Sequence, residues 1–270
     1  MRYSEIDFAR LYKEHLAQSE RPEKPASDWG AKAQSISKSA VGGAYSQAFL
    51  AKMDFTNAHS LLDIGCGPGT IALPAAEKLT QVYALDYSQG MLDVLQDNAR
   101  ERQLDNIQPI HLSWEDDWAD VPVCDIAVAS RASIVADMQQ ALDKLNRHAR
   151  QRVYMTHLVG GMFIDPDIYH VLGRDVKSFP DPIYVINLLW QQGIYPKLDY
   201  IPSHNRLAGC ANFSEFASKV SWRLGELSLE ELAALEVWYL ANPQRAAEGG
   251  RPTQWAFLSW DVPSVFKQNG

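Results

Sequence analysis

The sequence predicts an α/β protein built on a doubly wound, mostly parallel sheet, and three observations carry that expectation. Apolar, strand-like runs alternate with amphipathic stretches of helical length from residue 60 to residue 158. The first of these runs leads into a loop with glycine at three alternate positions, Gly65, Gly67 and Gly69, before a helix begins. The second run ends on an acid, Asp86, twenty-one residues past Gly65. Such alternation favours parallel strands, because each helix must cross back over the sheet, and the helices then cover both faces.

The elements follow in order. Phe8, Leu11, Tyr12, His15 and Leu16 fall on one helical face, which predicts an amphipathic helix over 4–19. The segment 21–25 ends it, since Pro22 and Pro25 lack an N–H and restrain the residue before them. A second helical stretch covers 29–52 and is weakened at Gly42-Gly43. Strands are expected at 60–64, 81–85, 107–112, 124–129 and 152–158, with helices at 70–79, 88–102 and 135–148. The last third is less regular. Helices are expected at 167–177, 184–192, 213–224 and 227–240, the last opened by Ser228 as its N-cap. Two further strands, 197–201 and 254–260, bring the expected sheet to seven. The organisation is then 1–57 as N-terminal helices, a cover or a dimer contact, and 58–270 as the sheet domain, with helical insertions near 165–193 and 211–242.

Composition excludes several classes. The chain has 270 residues, 46% of them hydrophobic and 21% charged, which argues against disorder, collagen and coiled coil. With 25 Lys+Arg against 33 Asp+Glu the net charge is −8, so nothing directs the chain to a phosphate backbone and no nucleic-acid partner is expected. Cys66, Cys124 and Cys210 are widely spaced, odd in number and without a C-x-x-C pair, which suits a reducing compartment. Charges spread through the N-terminus, and no eighteen apolar residues run together. The expectation is a cytoplasmic protein without a membrane partner. His157, Asp165, Asp167 and His170 lie near one another in sequence but lack metal-ligand spacing, so no metal is expected.

The glycine loop carries the chemistry. Glycines permit a tight turn and let a ligand approach the backbone, while the following helix start offers N–H groups to an anion. A carboxylate at the end of the next strand, here Asp86, can accept both hydroxyls of a ribose. Together they point to a ligand that contains a nucleoside. A dinucleotide loop, G-x-G-x-x-G, needs glycine where Thr70 stands, and no phosphate-loop lysine follows. The stretch Asp63-Ile64-Gly65-Cys66-Gly67-Pro68-Gly69, with Asp86 beyond it, resembles the motifs of the class I S-adenosylmethionine (SAM)-dependent methyltransferases. The resemblance is clearest over 29–158 and is nearest to the ubiquinone/menaquinone-biosynthesis-like group that acts on small molecules.

That resemblance implies a Rossmann-like methyltransferase fold and in-line transfer of a methyl group from SAM to a small-molecule acceptor. The loop of Gly65, Cys66, Gly67 and Gly69, opened by Asp63, would pass beneath the methionine portion of the cofactor. Asp86 would hold the ribose, and Tyr87 and Met91 would border the adenine. Where this class often has Gly-Asp in its third motif, the chain has Leu112-Ser113-Trp114. Ser113 would bond the adenine edge as a hydroxyl, and Trp114 would stack on it or, with Trp118, anchor the surface. The fourth motif matches 125–131, whose Ser130 and Arg131 would face cofactor and acceptor. Arg131 suits an acceptor carboxylate through its planar fork, or a salt bridge to a neighbouring acid. His157 suits removal of a proton from the acceptor, or a buried, hydrogen-bonded place. Trp29 and Tyr45 would close over the cofactor, Tyr45 near its methionine end, or pack without touching it. Tyr184, Asn187, Trp190 and Tyr195 would line an acceptor pocket or join the core. Two alternatives stand beside this one: a module that binds SAM without transferring its methyl, and a nicotinamide-dependent oxidoreductase, which Thr70 disfavours.

Overall fold

The computed structural model describes residues 2–266 apart from 20–23, 204 and 206. After a 3-10 turn at Tyr3–Glu5 come α1 (Phe8–Gln18), α2 (Ala26–Ala40) and α3 (Ala44–Ala51). The alternating part comprises β1 (Ser60–Ile64), α4 (Ala72–Ala76), β2 (Gln81–Asp86), α5 (Gln89–Glu101), β3 (Ile107–His111), β4 (Cys124–Ala129), α6 (Met138–His148) and β5 (Ala149–Leu158). The last third adds α7 (Pro166–Val171), α8 (Pro182–Gln191), β6 (Lys197–Ser203), α9 (Phe213–Leu224), α10 (Leu229–Ala241), α11 (Pro243–Glu248) and β7 (Thr253–Asp261).

Seven strands form one sheet in the order β3-β2-β1-β4-β5-β7-β6. The first five run parallel to one another, with Asp63 beside Ala84 of β2 and Val128 of β4. β7 runs antiparallel to both β5 and β6 and lies between them. The central strands are covered on both sides, which is why they read as unbroken apolar runs. On one face α1, α6 and α8 bring Tyr12, Leu142 and Leu188 against Leu62, Ala127 and Met155. On the other, α3, α4 and α5 bring Phe49, Leu73 and Leu95 against Leu61, Val128 and Phe257. The inserted helices make a core of their own around Ile168, Phe216 and Trp238. The order of strand addition reverses between β1 and β4, the switch point where open α/β sheets leave a crevice beyond the strand ends.

Local chemistry explains where the elements depart from the expected bounds. The first helix starts at Phe8 because the Asp7 carboxylate accepts the Arg10 N–H. The 29–52 stretch divides at Gly42, which takes a left-handed φ of 73°. Helix 70–79 shrinks to α4 because residues up to Ile71 belong to the turn and the Ala72 N–H is spent on Asp63. Asp137 caps α6 three residues later than the periodicity suggests, and α7 stops before the left-handed Gly173. Ser228 does cap its helix, in a reciprocal box with Glu231. Helix α11 is unforeseen; it opens on Pro243 and ends at the left-handed Gly249. Of the break at 21–25, residues 21–23 lie outside the described residues, and Pro25 stands as the N-cap of α2.

The N-terminal helices spread over both faces of the sheet. The α1 stripe, available in principle to a second copy, buries Phe8 and Tyr12 within the chain, and the Tyr12 hydroxyl donates to the Val135 carbonyl at 2.9 Å. Helix α2 crosses α5 where two glycines meet: a Cβ on Gly90 would stand 2.7 Å from the Gly30 Cα. No helix among the described residues is long and apolar enough to cross a membrane.

Candidate active site

A cavity of about 360 Å³ opens at the switch point. This is the size and place expected of a small-ligand site in such a sheet. Its walls contain Asp63, Gly65, Cys66, Gly67, Asp86, Tyr87, Met91, Ser113, Trp114, Ser130, Arg131 and Trp29, twelve of the positions that the sequence singles out. Three others lie elsewhere. Gly69 turns inward, Tyr45 lies behind Arg131, and His157 is buried away from the cavity.

The glycines have separate reasons. At Gly65 (φ 65°) an added Cβ would lie 2.4 Å from the Ala132 Cβ, so the loops after β1 and β4 touch only because a side chain is missing. At Gly69 (φ 94°) it would lie 2.5 Å from Leu95 and 2.7 Å from Leu73, which makes that residue a packing device between α4 and α5. Gly67 faces open space, with the Met91 sulfur 3.9 Å from where its Cβ would be. The loop thus leaves a side-chain-free strip of backbone along the cavity wall.

The two acids are held differently. One oxygen of Asp86 accepts the Gly67 N–H at 2.8 Å, and the other accepts the Ser88 N–H at 2.9 Å. A carboxylate has about four lone-pair directions, so roughly two remain for a ligand's paired hydroxyls. Burial raises the Asp86 pKa, opposed by those two backbone donors. Asp63 is sealed more completely: among the described residues it accepts only the Ala72 N–H, at 3.0 Å, and burial pushes its pKa up to about 8. A cationic ligand group beside it would restore the carboxylate. Cys66 is buried, and burial raises its thiol pKa well above the ordinary value, which removes it as a nucleophile. The backbone strip, the two spare acceptor directions and the buried acid fit the adenosyl and amino-acid parts of SAM.

Trp114 stacks on Trp118 with ring centroids 5.3 Å apart and planes at 25°, and its indole N–H donates to the Ala132 carbonyl at 2.9 Å. It anchors the wall and presents what remains of its ring to the cavity. The Ser113 hydroxyl accepts the Glu115 N–H at 3.2 Å. The Tyr45 hydroxyl is 2.8 Å from the Thr156 hydroxyl and 3.1 Å from that of Ser130. His157 Nε2 lies 2.9 Å from the Pro180 carbonyl, which can only accept, so Nε2 carries the proton; Nδ1 lies 2.7 Å from the Ser133 hydroxyl, which is also 2.7 Å from the Thr156 carbonyl. Burial lowers the His157 pKa to about 4, and the ring reaches no acceptor. Tyr184, Asn187 and Trp190 are likewise spent elsewhere. Tyr184 meets Tyr12 and His15, Asn187 bonds Tyr3, and Trp190 packs on the Tyr3 ring. Tyr195 is exposed. Asp165 accepts two hydrogen bonds from Arg245 and one from the Arg251 N–H.

Sequence reasoning missed Ile36, Phe163, Arg223 and Trp255, which also line the walls. They come from four elements far apart in the chain, and no local pattern marks them.

Residues 61–152 match the family described as "Methyltransferase domain". The chain is 35% identical over 266 residues to an uncharacterized protein of Haemophilus influenzae, which spans 97% of this chain and 98% of that protein. The crystal structure of a Bacillus halodurans protein described as a methyltransferase superposes with a TM-score of 0.58 at 10% identity, over 82% of this chain and 100% of that one. Coclaurine N-methyltransferase, bound to N-methylheliamine and S-adenosylhomocysteine (SAH), gives 0.51 at 14% identity, over 97% of this chain and 95% of that one. The two structural likenesses bear on the fold, and the family match covers the strands that carry the glycine loop and Asp86. The chain belongs to the class I SAM-dependent methyltransferases, enzymes that move a methyl group from S-adenosylmethionine. Within that class it shares its whole length with the Haemophilus influenzae protein.

Proposed function

We propose that the chain methylates a small-molecule acceptor in the cytoplasm. The cofactor would lie along the Gly65–Gly67 strip and the acceptor on the side of Ser130 and Arg131. One observation carries this reading: a single cavity joins the glycine strip and Asp86 to the loop after β4. Asp86 would take the ribose hydroxyls with its spare lone pairs, and Asp63 the cofactor's ammonium. Met91, Tyr87, Ser113 and Trp114 would border the adenine, with Trp29 of α2 above them as the N-terminal cover.

SAM supplies a methyl group already activated on a sulfonium, which leaves as a neutral thioether when an acceptor lone pair takes the carbon. The residues of the chain then have three tasks: to hold, to align and to exclude water. Alignment alone is worth roughly 7–11 kcal/mol in well-oriented reactions. The Gly65 strip and Asp86 fix the donor end, while the hydroxyl network of Tyr45, Ser130 and Thr156 stiffens the wall facing the reacting carbon.

Titration calorimetry with SAM, SAH and NAD tests the reading, which expects the first two to bind and NAD to give no heat. Asp86→Ala should weaken SAM at least tenfold, because two charge-assisted hydrogen bonds of ~1.5–3 kcal/mol each are lost and water recovers only part. Unchanged affinity would remove Asp86 from the ribose.

A further inference from the structure

The acceptor half of the cavity has its own composition. Arg131 follows β4 in a left-handed conformation, φ 56°, pinned by its N–H donating to the Thr156 hydroxyl at 2.9 Å. Non-glycine residues held this way cluster at binding sites, because the surroundings must repay the strain. The guanidinium sits 4.1 Å from the centroid of the Tyr45 ring, a platform whose hydroxyl is already committed to Ser130 and Thr156. Among the described residues no carboxylate pairs with that guanidinium and no group accepts from it. None of its nitrogens is sealed without a partner, so the fork opens on the cavity that Arg131 lines.

An aromatic row continues from there. The Tyr45 ring is 6.3 Å from Trp255, Trp255 is 6.1 Å from Phe163, and the Arg223 guanidinium lies 4.6 Å over Phe163. Trp255, Phe163 and both arginines face the same cavity. Beside Arg223, the ammonium groups of Lys24 and Lys32 stand 3.7 and 3.6 Å from the Trp222 ring centroid. The acids of the cavity, Asp63, Asp86 and Glu115, come from the β1, β2 and β3 side of the sheet. The two arginines that line it come from the loop after β4 and from α9. Carboxyl groups thus line the cofactor side of the cavity and guanidinium groups the acceptor side.

We propose that the methyl acceptor carries an oxyanion, a carboxylate or a phosphate, on a flat apolar body: the oxyanion takes the Arg131 fork and the body lies along Phe163 and Trp255. The inference rests on the methyl-transfer reading above and names its substrate class. A planar guanidinium in a partly dry cavity gains most from a bidentate oxyanion, which satisfies two N–H groups and the charge at once. The Phe163 ring, only partly buried, and the small part of Trp255 that reaches the cavity accept a flat body by apolar contact.

The test uses the full chain saturated with SAH and four probes of similar size: phenylacetate, phenyl phosphate, phenylacetamide and phenethylamine. Binding is read by ligand-observed NMR titration, and SAH affinity and Tm are measured on the same preparations. The wild type should hold phenylacetate or phenyl phosphate at least tenfold more tightly than the amide or the amine, and which anion is tighter identifies the oxyanion. Arg131→Gln should erase that preference while SAH affinity stays within threefold. Arg131→Lys, which keeps the charge without the fork, should retain part of it. The proposal is overturned if neither anion surpasses the amide in the wild type, mutual failure to bind included. A Gln variant that keeps the preference also overturns it. So does a Gln variant that folds but loses SAH tenfold, since Arg131 would then hold the cofactor's carboxylate. Failure of SAH to bind the wild type strikes the cofactor assignment itself and the subsite with it.

Discussion

Asp63 and His157 are both buried and titratable, and burial moves their pKa values in opposite directions. Asp63 is raised to about 8, so the neutral carboxyl is the form the fold favours. Its stabilising contribution is complete below the usual carboxyl pKa and is lost as pH rises through 8. An ammonium bound against it reverses the preference. SAM binding at pH 7 is therefore expected to release up to one proton, read from calorimetric heats in buffers of different ionisation enthalpy. Asp63→Asn should abolish the release. His157 is lowered to about 4, so neutral imidazole is favoured and its contribution is complete above 6.5. As pH falls from 6.5 to 4 the unfolded chain gains a proton that the native chain refuses. At roughly 1.36 kcal/mol per unit, about 3 kcal/mol of stability should disappear over that window. Urea unfolding at pH 7 and pH 4.5 checks this, and His157→Gln should flatten the pH slope. The same residues show what a sequence can disclose. The glycine loop and Asp86 are readable because spacing and strand position constrain them together. The imidazole reads more readily as a buried ring than as a base, and only its neighbours, Ser133 and the Pro180 carbonyl, decide.

Among the elements, α2 ties the N-terminus to the site. Trp29 and Ile36 line the cavity, and the helix bearing them lies against α5 through the Gly30–Gly90 crossing. A methyl group at Gly90 must push the two backbones apart, and overpacking of this kind costs typically 1–3 kcal/mol. Gly90→Ala should thus weaken SAM binding through displaced walls, with a modest fall in Tm, measured by calorimetry and Trp fluorescence. Conversely, full SAM affinity in that variant would mean that α2 is a spectator. The strands were legible as apolar runs because helices cover them on both faces. Helix ends were legible where a cap marks them, as at Ser228, and illegible where tertiary contacts take the signal, as where Asp63 claims the first N–H of α4. The crossing itself could not be read, since two isolated glycines carry no pattern that joins them.

Across the whole molecule, stability and ligand binding are linked by mass action. SAM at a hundred times its Kd should add about 2.7 kcal/mol to the unfolding free energy and raise Tm by several degrees. NAD at the same concentration should leave the transition unmoved, and a scan of both checks the cofactor against the nicotinamide alternative. The sheet order was partly open to inference: alternation announces β1 to β5, and two late strands are visible in the sequence. Their insertion order is not, because pairing between residues a hundred positions apart depends on the shape of the inserted helices rather than on the strands. The acceptor wall was hidden for the same reason, since Phe163, Arg223 and Trp255 meet only once those helices have packed.

The lane taken by β7 has a consequence during synthesis. It leaves the ribosome after β6, yet it occupies an interior place between β5 and β6. A nascent chain paused before Thr253 carries two bare sheet edges and lacks the Trp255 wall. Such a chain is sticky toward chaperones and other strands, and its cleft lacks the wall opposite the donor end, so a half-made copy has little grip on an acceptor.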